Sequence, residues 1–465
     1  MADVIVVGGG PGGYASAIHC AQLGAKVTLV EADKVGGTCL NRGCIPTKAM
    51  FEAARVLRDA TRAADFGVLL QGVSFDYAQM AARRDKVVGG LVTGLGGLLK
   101  SNGVTVVRGR GRLAGPRSVE VTGPDAGRLQ GDAVIMAPGS VTARVPIPGV
   151  DLPGVMDSDG LLQMATLPRS LCIIGGGVIG CEFASIFAAY GTEVTVVEMM
   201  PQILPPADEE VARRLAGAFR RAKIGVLTSA RVTGIREAGG LRRVDVEVDG
   251  GKQEIAAEVT LVAVGRRPNT ADLGLEALGV QLGRGGAIPV DAQLRTAVPS
   301  VLAVGDAIGA PMLAHAGFAQ ALVAAEVLAG HAAEWGSQMV PSPVFCHPEV
   351  AWVGLTEAQA KDALGGADPQ IGRFPFSALG RAQIAGETEG FVKLVAEPGS
   401  GRVLGVHIIG PQATELVAEA SVLVQCGLVA EDVEGSIHPH PTLSEAVAEA
   451  AAMVLGRPLD AMLRR

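Results

Sequence analysis

Two cysteines, Cys39 and Cys44, are the closest-spaced of the chain's seven and lie in the stretch GGTCLNRGCIPTK. Three kinds of site fit such a pair: a zinc site, two buried structural thiols, or a redox-active pair. A zinc site needs about four ligands, and the sequence contains no CxxC or HxxxH motif. Burial is the usual fate of a free cysteine, and we expect it for Cys20, Cys172, Cys181, Cys346 and Cys426.

The backbone between Cys39 and Cys44 cannot be a regular helix if the two sulfurs are to bond. An α-helix separates Cα atoms five residues apart by about 8.6 Å, whereas a disulfide needs roughly 4.4 to 6.8 Å. Gly43 allows the local distortion, and Pro46 suits the first turn of a following helix. Because a helix start lowers the pKa of a thiol, we favour a redox-active pair with Cys44 as the thiolate.

Reversible thiol chemistry also needs a base, since only a thiolate attacks a disulfide. Two of the seven histidines, His438 and His440, lie in SIHPHPTLSEAV, and Glu445 follows five residues after His440. A carboxylate beside a histidine fixes its tautomer and stabilises the imidazolium. This segment therefore holds the candidates for the base.

An internal repeat indicates the elements that position these residues. VIVVGGGPGG, at residues 4–13, resembles LCIIGGGVIG, at residues 171–180. In each copy an apolar run leads into GxGxxG, then a helix, then a strand ending in an acid, and the acid lies 23 positions after the first glycine. The residues are Gly8, Gly10, Gly13 and Glu31 in the first copy and Gly175, Gly177, Gly180 and Glu198 in the second.

This spacing is typical of a βαβ dinucleotide site, in which the helix N-terminus faces the pyrophosphate and the acid binds the ribose. The sequence therefore predicts two dinucleotide-binding units. Glu198 repels a 2′-phosphate, and the following MMPQILPP offers no arginine to receive one. We predict that the second site prefers NAD to NADP.

The fold class predicted is α/β, with two Rossmann-like dinucleotide-binding domains and a C-terminal α+β domain. The first domain spans residues 1–147 and the second residues 148–270, with the Pro/Gly-rich PIPGVDLPGV at their boundary. SVLAVGDAIG, within residues 271–340, is predicted to return a strand to the first domain. Residues 341–465 form the third domain.

Composition limits the partners. The net charge is −7 and no Lys/Arg block occurs, so we expect no nucleic acid and no anionic membrane as a partner. The uncharged run at residues 307–325 is interrupted by Pro311, His315 and Gln320, which favours a buried helix over a membrane span. A strand-like VIVV begins at Val4 without an export signal, which predicts a reducing, cytoplasmic location.

GGTCLNRGCIPTK resembles the active-site segment of the FAD-dependent pyridine nucleotide–disulfide oxidoreductases, and the order of motifs agrees over nearly all 465 residues. The resemblance implies that the first dinucleotide is FAD and the second NAD. It also implies that Cys39 and Cys44 form the disulfide that faces the flavin. Cys39 would exchange with substrate and Cys44 would contact the flavin ring.

Further roles follow from the same resemblance. The pattern HPTLSE implies that His440 is the acid/base and that Glu445 orients it, while His438 is expected to be structural. Lys48 would lie near flavin N5, paired with Glu182. The other cofactor-binding positions that the resemblance implies are Asp306 at the FAD ribityl chain, together with Gly139, Gly265 and Ala314.

The implied activity is oxidation of protein-bound dihydrolipoyl groups with reduction of NAD⁺ to NADH. The implied partners are the lipoyl domain and acyltransferase core of a 2-oxo acid dehydrogenase complex, or the glycine cleavage carrier protein. A homodimer is implied, in which His440 reaches the disulfide of the other subunit. Alternatives are a glutathione-type reductase, a mercuric-type reductase with a C-terminal cysteine pair that RPLDAMLRR lacks, and an idle flavoprotein scaffold. No metal is expected.

Overall fold

A computed structural model describes residues 2–248, 250–336 and 339–462. The first unit alternates strands and helices around a parallel sheet, with a small antiparallel sheet inserted before its fourth parallel strand. Its elements are β1 (Asp3–Val7), α1 (Pro11–Gln22), β2 (Lys26–Glu31), α2 (Gly37–Arg42), α3 (Cys44–Thr61), α4 (Tyr77–Ser101), β3 (Thr105–Arg108), β4 (Arg110–Gly115), β5 (Ser118–Thr122), β6 (Gly127–Gln130), β7 (Ala133–Met136) and β8 (Ser140–Thr142).

The second unit repeats this plan. Its elements are β9 (Val155–Met156), α5 (Ser158–Leu162), β10 (Ser170–Ile174), α6 (Val178–Ala189), β11 (Glu193–Val197), α7 (Glu209–Arg221), β12 (Gly225–Leu227), β13 (Ala230–Ala238), β14 (Leu241–Val248), β15 (Gly251–Ala257), β16 (Val259–Val262) and β17 (Arg266–Pro268). The parallel sheet has the order β12-β11-β10-β16-β9, and β13, β14 and β15 form an antiparallel sheet beside it.

The chain then returns to the first unit with β18 (Val301–Ala303) and α8 (Ala314–Leu328). The first parallel sheet has the order β18-β7-β1-β2-β3, so a strand from late in the sequence forms its edge. Val4 and Val6 of β1 are buried together with Ala324 and Ala325 of α8 in one apolar core. Burial of both faces explains why β1 is a continuous apolar run instead of an alternating one.

The C-terminal unit is a five-stranded antiparallel sheet in the order β19-β20-β23-β22-β21, covered by helices. Its elements are β19 (Ser342–Val344), β20 (Glu349–Gly354), α9 (Glu357–Ala363), β21 (Gln370–Pro375), α10 (Gly380–Ala385), β22 (Phe391–Ala396), β23 (Val403–Gly410), α11 (Ala413–Gln425), α12 (Ala430–Gly435) and α13 (Glu445–Val454). The buried face of α11 follows a helical period, with Ala413, Val417, Ala420 and Val424 toward the core.

One expectation about the cysteines is wrong. Cys426 is exposed, whereas Cys20, Cys172, Cys181 and Cys346 are buried as predicted. Cys426 lies at the C-terminal end of α11, two residues after Val424, and so falls off the buried stripe of that helix. In the described residues, no helix is long and apolar enough to cross a membrane.

Candidate functional site

The two cysteines lie on two different helices that meet at a sharp break. Cys39 is in the short, six-residue helix α2, and Cys44 is the first residue of α3. Between them Gly43 has φ −141° and ψ −111°, which is outside the helical region. A Cβ at Gly43 would lie 3.0 Å from the carbonyl oxygen of Thr38, so the turn is also tight. The break predicted from the sequence is therefore present at Gly43.

The structure describes Cys39 and Cys44 as half-buried thiols in hydrogen-bonding contact. The hydrogen bond from Cys39 lowers the pKa of Cys44 to about 7; burial opposes this, and the positive charge of Lys48 adds to the lowering. The same hydrogen bond, with burial, raises the pKa of Cys39. The directions of these two shifts favour Cys44 over Cys39 as the thiolate of the pair.

Lys48 lies one helical turn after Cys44, and its ammonium group contacts Glu182 and the ring of Phe345. Its Nζ donates to both carboxylate oxygens of Glu182, each at 2.8 Å, and Glu182 on α6 is 3% exposed. The backbone N–H of Phe345 donates to Glu182 Oε1 at 3.0 Å, and the Phe345 ring centroid lies 4.7 Å from Lys48 Nζ. This arrangement fixes a cation beside the thiolate.

His440 and Glu445 form a hydrogen-bonded pair. His440 Nδ1 lies 2.8 Å from Glu445 Oε1, and the backbone N–H of Thr442 donates to Glu445 Oε2 at 2.7 Å. Burial raises the pKa of Glu445, but these two hydrogen bonds and the charges of His440 and His438 outweigh it, so the pKa is lowered. Glu445 is therefore a carboxylate that accepts from Nδ1, which leaves Nε2 of His440 as the reactive nitrogen.

The single chain does not bring the histidine to the cysteines. In the described residues, no hydrogen bond or ion pair joins His440 or Glu445 to Cys39 or Cys44, and the His440 side chain is 79% exposed. The cysteine pair and the histidine–glutamate pair lie on separate units of the chain. An exposed base needs a second surface to act on, which agrees with a site shared between two chains.

The first glycine loop, between β1 and α1, is built by backbone contacts that exclude side chains. A Cβ at Gly8, whose φ is +102°, would lie 2.1 Å from the carbonyl oxygen of Ala137. A Cβ at Gly13 would lie 1.8 Å from the carbonyl oxygen of Gly8. A Cβ at Gly10, at the N-terminus of α1, would have one neighbour within 4 Å among the described residues, the Cα of Gly37 at 3.9 Å. Glycine at Gly10 therefore keeps space open before the helix N-terminus, which is the kind of position at which phosphates bind in dinucleotide folds.

The second glycine loop, between β10 and α6, has the same contacts. A Cβ at Gly175 would lie 2.4 Å from the carbonyl oxygen of Ala263, and one at Gly180 would lie 1.9 Å from that of Gly175. Gly177, at the N-terminus of α6, has no neighbour within 4 Å of its Cβ position among the described residues. Both loops therefore fit a dinucleotide pyrophosphate.

The acids at the ends of β2 and just after β11 close these loops in the same way. Glu31 Oε2 accepts from the N–H of Gly9 at 2.6 Å, and Glu198 Oε2 accepts from the N–H of Gly176 at 2.6 Å. The second carboxylate oxygen of each acid, Oε1, accepts from the backbone N–H two residues later. This donor is Asp33 for Glu31 and Met200 for Glu198, and both distances are 2.7 Å. A carboxylate has about four acceptor positions, so both acids keep capacity for ribose hydroxyls.

Asp306 lies in the loop after β18 and accepts a hydrogen bond from Ser140 Oγ. Arg266 Nε donates to the same Ser140 Oγ at 2.7 Å, so Asp306 and Arg266 are linked through one hydroxyl. Gly139 and Gly265 flank the two-stranded ribbon of β8 and β17, with φ of +72° and +106°. Ala314 is the first residue of α8.

Sequence reasoning missed several neighbours of these residues. Phe345 was not among the predicted site residues, whereas its backbone N–H and its ring contact Glu182 and Lys48. Ser140 carried no sequence signal. Tyr14, directly after the first glycine loop, lies close enough to the cysteines that their charges, added to the effect of burial, raise its pKa.

Comparison with known proteins agrees with this geometry. The family model described as pyridine nucleotide-disulphide oxidoreductase matches residues 2–321, and that described as its dimerisation domain matches residues 340–451. The dimerisation domain supports a homodimer. Relatives named dihydrolipoyl dehydrogenase include one from Thermus scotoductus, 44% identical over 453 residues, which are 97% of this chain and 96% of its own.

Two further similar proteins also match this chain over nearly its whole length. The dihydrolipoyl dehydrogenase of Geobacillus stearothermophilus is 39% identical over 459 residues, covering 98% of this chain and 97% of its own. Among solved structures, LpdA from Mycobacterium tuberculosis has a TM-score of 0.89 at 27% identity, covering 97% of this chain and 99% of its own. The predicted fold class is confirmed. With family matches over most of its length and relatives similar from end to end, the chain belongs to the pyridine nucleotide-disulphide oxidoreductase family.

Proposed function

We propose that this protein oxidises protein-bound dihydrolipoyl groups and reduces NAD⁺ to NADH. The observation that carries the proposal is the pair of half-buried cysteines brought together across the break at Gly43, one helical turn before the cation of Lys48 that Glu182 holds in place. When its two sulfurs are bonded as a disulfide, such a pair accepts two electrons from a dithiol and then holds Cys44 as a thiolate. The relatives named dihydrolipoyl dehydrogenase, at 39% and 44% identity over nearly the whole chain, support this substrate class.

In the proposed reaction, the oxidised protein has a bond between Cys39 and Cys44. His440 Nε2 takes the proton from one substrate thiol, and the resulting thiolate attacks Cys39. The Cys39–Cys44 bond breaks and Cys44 leaves as a thiolate, which its lowered pKa favours. The second substrate thiol then attacks the mixed disulfide and its proton passes to Cys39, which releases the substrate as a cyclic disulfide and Cys39 as a thiol.

FAD and NAD are the cofactors that complete this chemistry, and FAD when bound supplies the electron transfer between the cysteine pair and the nicotinamide. The first glycine loop with Glu31 and Asp306 would hold FAD, and the second with Glu198 would hold NAD. We assign residues 1–147 and 271–340 to the FAD-binding domain, 148–270 to the NAD-binding domain and 341–465 to the dimerisation domain. In the dimer, His440 acts on the cysteine pair of the other protomer.

The partner that we propose is the lipoyl domain and acyltransferase core of a 2-oxo acid dehydrogenase complex, or the carrier protein of glycine cleavage. These proteins present a dihydrolipoyl group on a mobile lysine arm. A two-sided site built from separate protomers suits a long, thin substrate of this kind. The two sulfurs of the group then enter between the histidine and the cysteines.

Steady-state assays of the flavin-containing protein test the proposal. We expect NADH formation from dihydrolipoamide and NAD⁺, and a kcat/KM roughly 10²-fold lower with NADP⁺, because Glu198 repels the 2′-phosphate. Glutathione disulfide with NADPH serves as the comparison substrate pair. Equal turnover with both nicotinamides, or faster turnover of glutathione disulfide, contradicts the proposal. No turnover with any dithiol favours the idle scaffold.

A further inference from the structure

Lys393, on β22, is a buried cation that the proposed reaction does not use. The residue is 2% exposed, and its Nζ donates to Oδ1 and Oδ2 of Asp208 at 2.9 and 3.1 Å and to Oε2 of Glu357 at 2.6 Å. Asp208, which is 3% exposed, lies at the start of α7 in the second unit, whereas Lys393 and Glu357 belong to the C-terminal unit. The buried ion pair therefore joins the C-terminal unit to the unit that contains the second glycine loop.

The carboxylate of Asp208 is held from both units. It caps α7, where its Oδ1 accepts from the backbone N–H of Glu210 at 3.1 Å, and its Oδ2 accepts from the backbone N–H of Glu357 at 3.3 Å. With the two hydrogen bonds from Lys393, its four or so acceptor positions are filled. Burial opposes the charge of each partner, but the hydrogen bonds to Glu357 and Asp208 raise the pKa of Lys393, and the hydrogen bond from Lys393 lowers the pKa of Asp208. Both groups are therefore charged.

The loop at residues 199–208 follows Glu198, ends at this ion pair and packs on the second glycine loop. The backbone N–H of Leu204 donates to the carbonyl oxygen of Gly176 at 2.8 Å. On the same glycine, a Cβ would lie 2.9 Å from Cγ2 of Ile203, so the side chain of Ile203 fits only because residue 176 has none. The position of the second glycine loop therefore depends on how the 199–208 loop is held.

The 199–208 loop has a conformation that its own residues do not favour. Leu204 has φ +48°, in the left-handed region that residues with a Cβ rarely adopt. Such a backbone persists only where the surrounding contacts determine it. Leu204 and Ala207 are buried, and the backbone N–H of Ala207 donates to the carbonyl oxygen of Leu204 at 2.8 Å. This contact links the left-handed residue to the position directly before Asp208, so the clamp on Asp208 also stabilises Leu204 at Gly176.

We propose that Lys393 is a positioning residue for the nicotinamide dinucleotide. By clamping Asp208, it keeps the 199–208 loop against Gly176, and so keeps the second glycine loop and Glu198 in the geometry that receives the pyrophosphate and the ribose. The C-terminal unit thereby preorganises a cofactor site that belongs to another unit. The inference deepens the proposed function, because it rests on the assignment of NAD to the second glycine loop.

The test separates the nicotinamide half of the reaction from the dithiol half. The double variant Lys393→Met with Asp208→Asn removes both buried charges, so neither is left without its partner, and asparagine still caps α7. ADP-ribose is the binding probe, since it contains the adenosine and pyrophosphate but cannot transfer a hydride. We expect its Kd for the flavin-containing protein, measured by titration calorimetry, to rise about 10-fold, because only part of the population keeps the binding-competent loop.

The kinetics of the same variant should divide in the same way. The KM for NAD⁺ should rise by a similar factor while kcat at saturating NAD⁺ stays nearly unchanged, as for loss of an interaction that ground state and transition state share. Reduction of the flavin by dihydrolipoamide without NAD⁺, followed by stopped-flow absorbance, should keep its rate. A general loss of folding would lower both halves of the reaction together.

Glu389→Gln is the matched control on the same helix and between the same two units. Glu389 of the C-terminal unit lies 2.5 Å from Arg214 Nε and 2.8 Å from Arg221 Nη2, in the middle and at the end of α7. These ion pairs are remote in sequence from the 199–208 loop, so their loss should leave the Kd of ADP-ribose unchanged.

The outcomes are distinguishable. An unchanged Kd in the double variant overturns the proposal, as does an equal rise in Glu389→Gln or an equal slowing of dithiol-driven flavin reduction. If the double variant does not fold, Asp208→Asn alone, which leaves Lys393 paired with Glu357, should still raise the Kd, and an unchanged value overturns the proposal. In the unaltered protein, ADP-ribose binding without dithiol turnover refutes the proposed substrate and leaves this comparison valid, whereas absence of ADP-ribose binding overturns both.

Discussion

Replacing Cys44 with serine is expected to reduce dithiol-dependent NADH formation by roughly 10⁴-fold or more, the order of loss seen when a nucleophilic group is removed. Serine cannot form a disulfide with Cys39, so the cysteine pair can no longer take electrons from the substrate. The protein should still bind FAD, because the glycine loop of Gly8 and Gly13 is built from backbone contacts that do not involve the sulfur. Steady-state assay and the visible absorbance of the gel-filtered protein measure the two effects.

The exposed cysteine provides the matched control for this variant. Cys426→Ser changes the same atom at the end of α11 and should leave both turnover and bound flavin unchanged. Cys39→Ser, and the double variant with Cys44→Ser, should be about as inactive as Cys44→Ser alone, because the two sulfurs act as one unit. Retention of a substantial part of the turnover by Cys44→Ser would show that electrons enter by another route.

Replacing His440 with glutamine is expected to lower kcat for dihydrolipoamide by about 10² to 10⁴-fold at neutral pH, the usual contribution of a general base. Glutamine can still hydrogen bond to Glu445 but cannot take a proton. The loss should shrink as the pH rises toward the ordinary thiol pKa of about 8.5, because the substrate then ionises without a base. A kcat profile from pH 6 to 9 measures both the loss and its recovery.

A second histidine–glutamate pair supplies the control for His440→Gln. His331 is exposed and its Nδ1 lies 2.5 Å from Glu326 Oε2, so His331→Gln makes the same chemical change in a similar pair outside the site. It should leave the kcat profile unchanged. Near-normal turnover of His440→Gln at neutral pH would mean that another group accepts the substrate proton.

The dinucleotide loops could be predicted from sequence because their determinants are local. Gly13 and Gly180 contact the carbonyl oxygens of Gly8 and Gly175 within the same loop, and Gly9 and Gly176 reach an acid only 22 residues away. Such contacts leave a fixed spacing in the sequence. The break at Gly43 could be predicted for the same reason, since a disulfide five residues apart cannot form in a helix.

Contacts between distant parts of the chain left no such signal. Phe345 reaches Glu182 across 163 residues, and His438, in the loop between α12 and α13, reaches Glu419 on α11, so neither could be paired by spacing. The sequence argument did favour a thiolate at Cys44, but attributed it to the helix start. The structure gives first the hydrogen bond from Cys39 and then the charge of Lys48 as the lowering causes, which only the packed arrangement shows. The prediction that Cys426 is buried was wrong, because a shift of one residue at the end of a helix decides whether a side chain faces the core or the solvent.

The paired glycine contacts also explain why the two halves of the chain still look alike. In both nucleotide units the same two glycines press against a carbonyl oxygen, at 2.1 and 1.8 Å in one and 2.4 and 1.9 Å in the other, as measured from the Cβ that is missing. Any substitution at these four glycines adds a side chain that would overlap a carbonyl oxygen, so both units require glycine at the same two places.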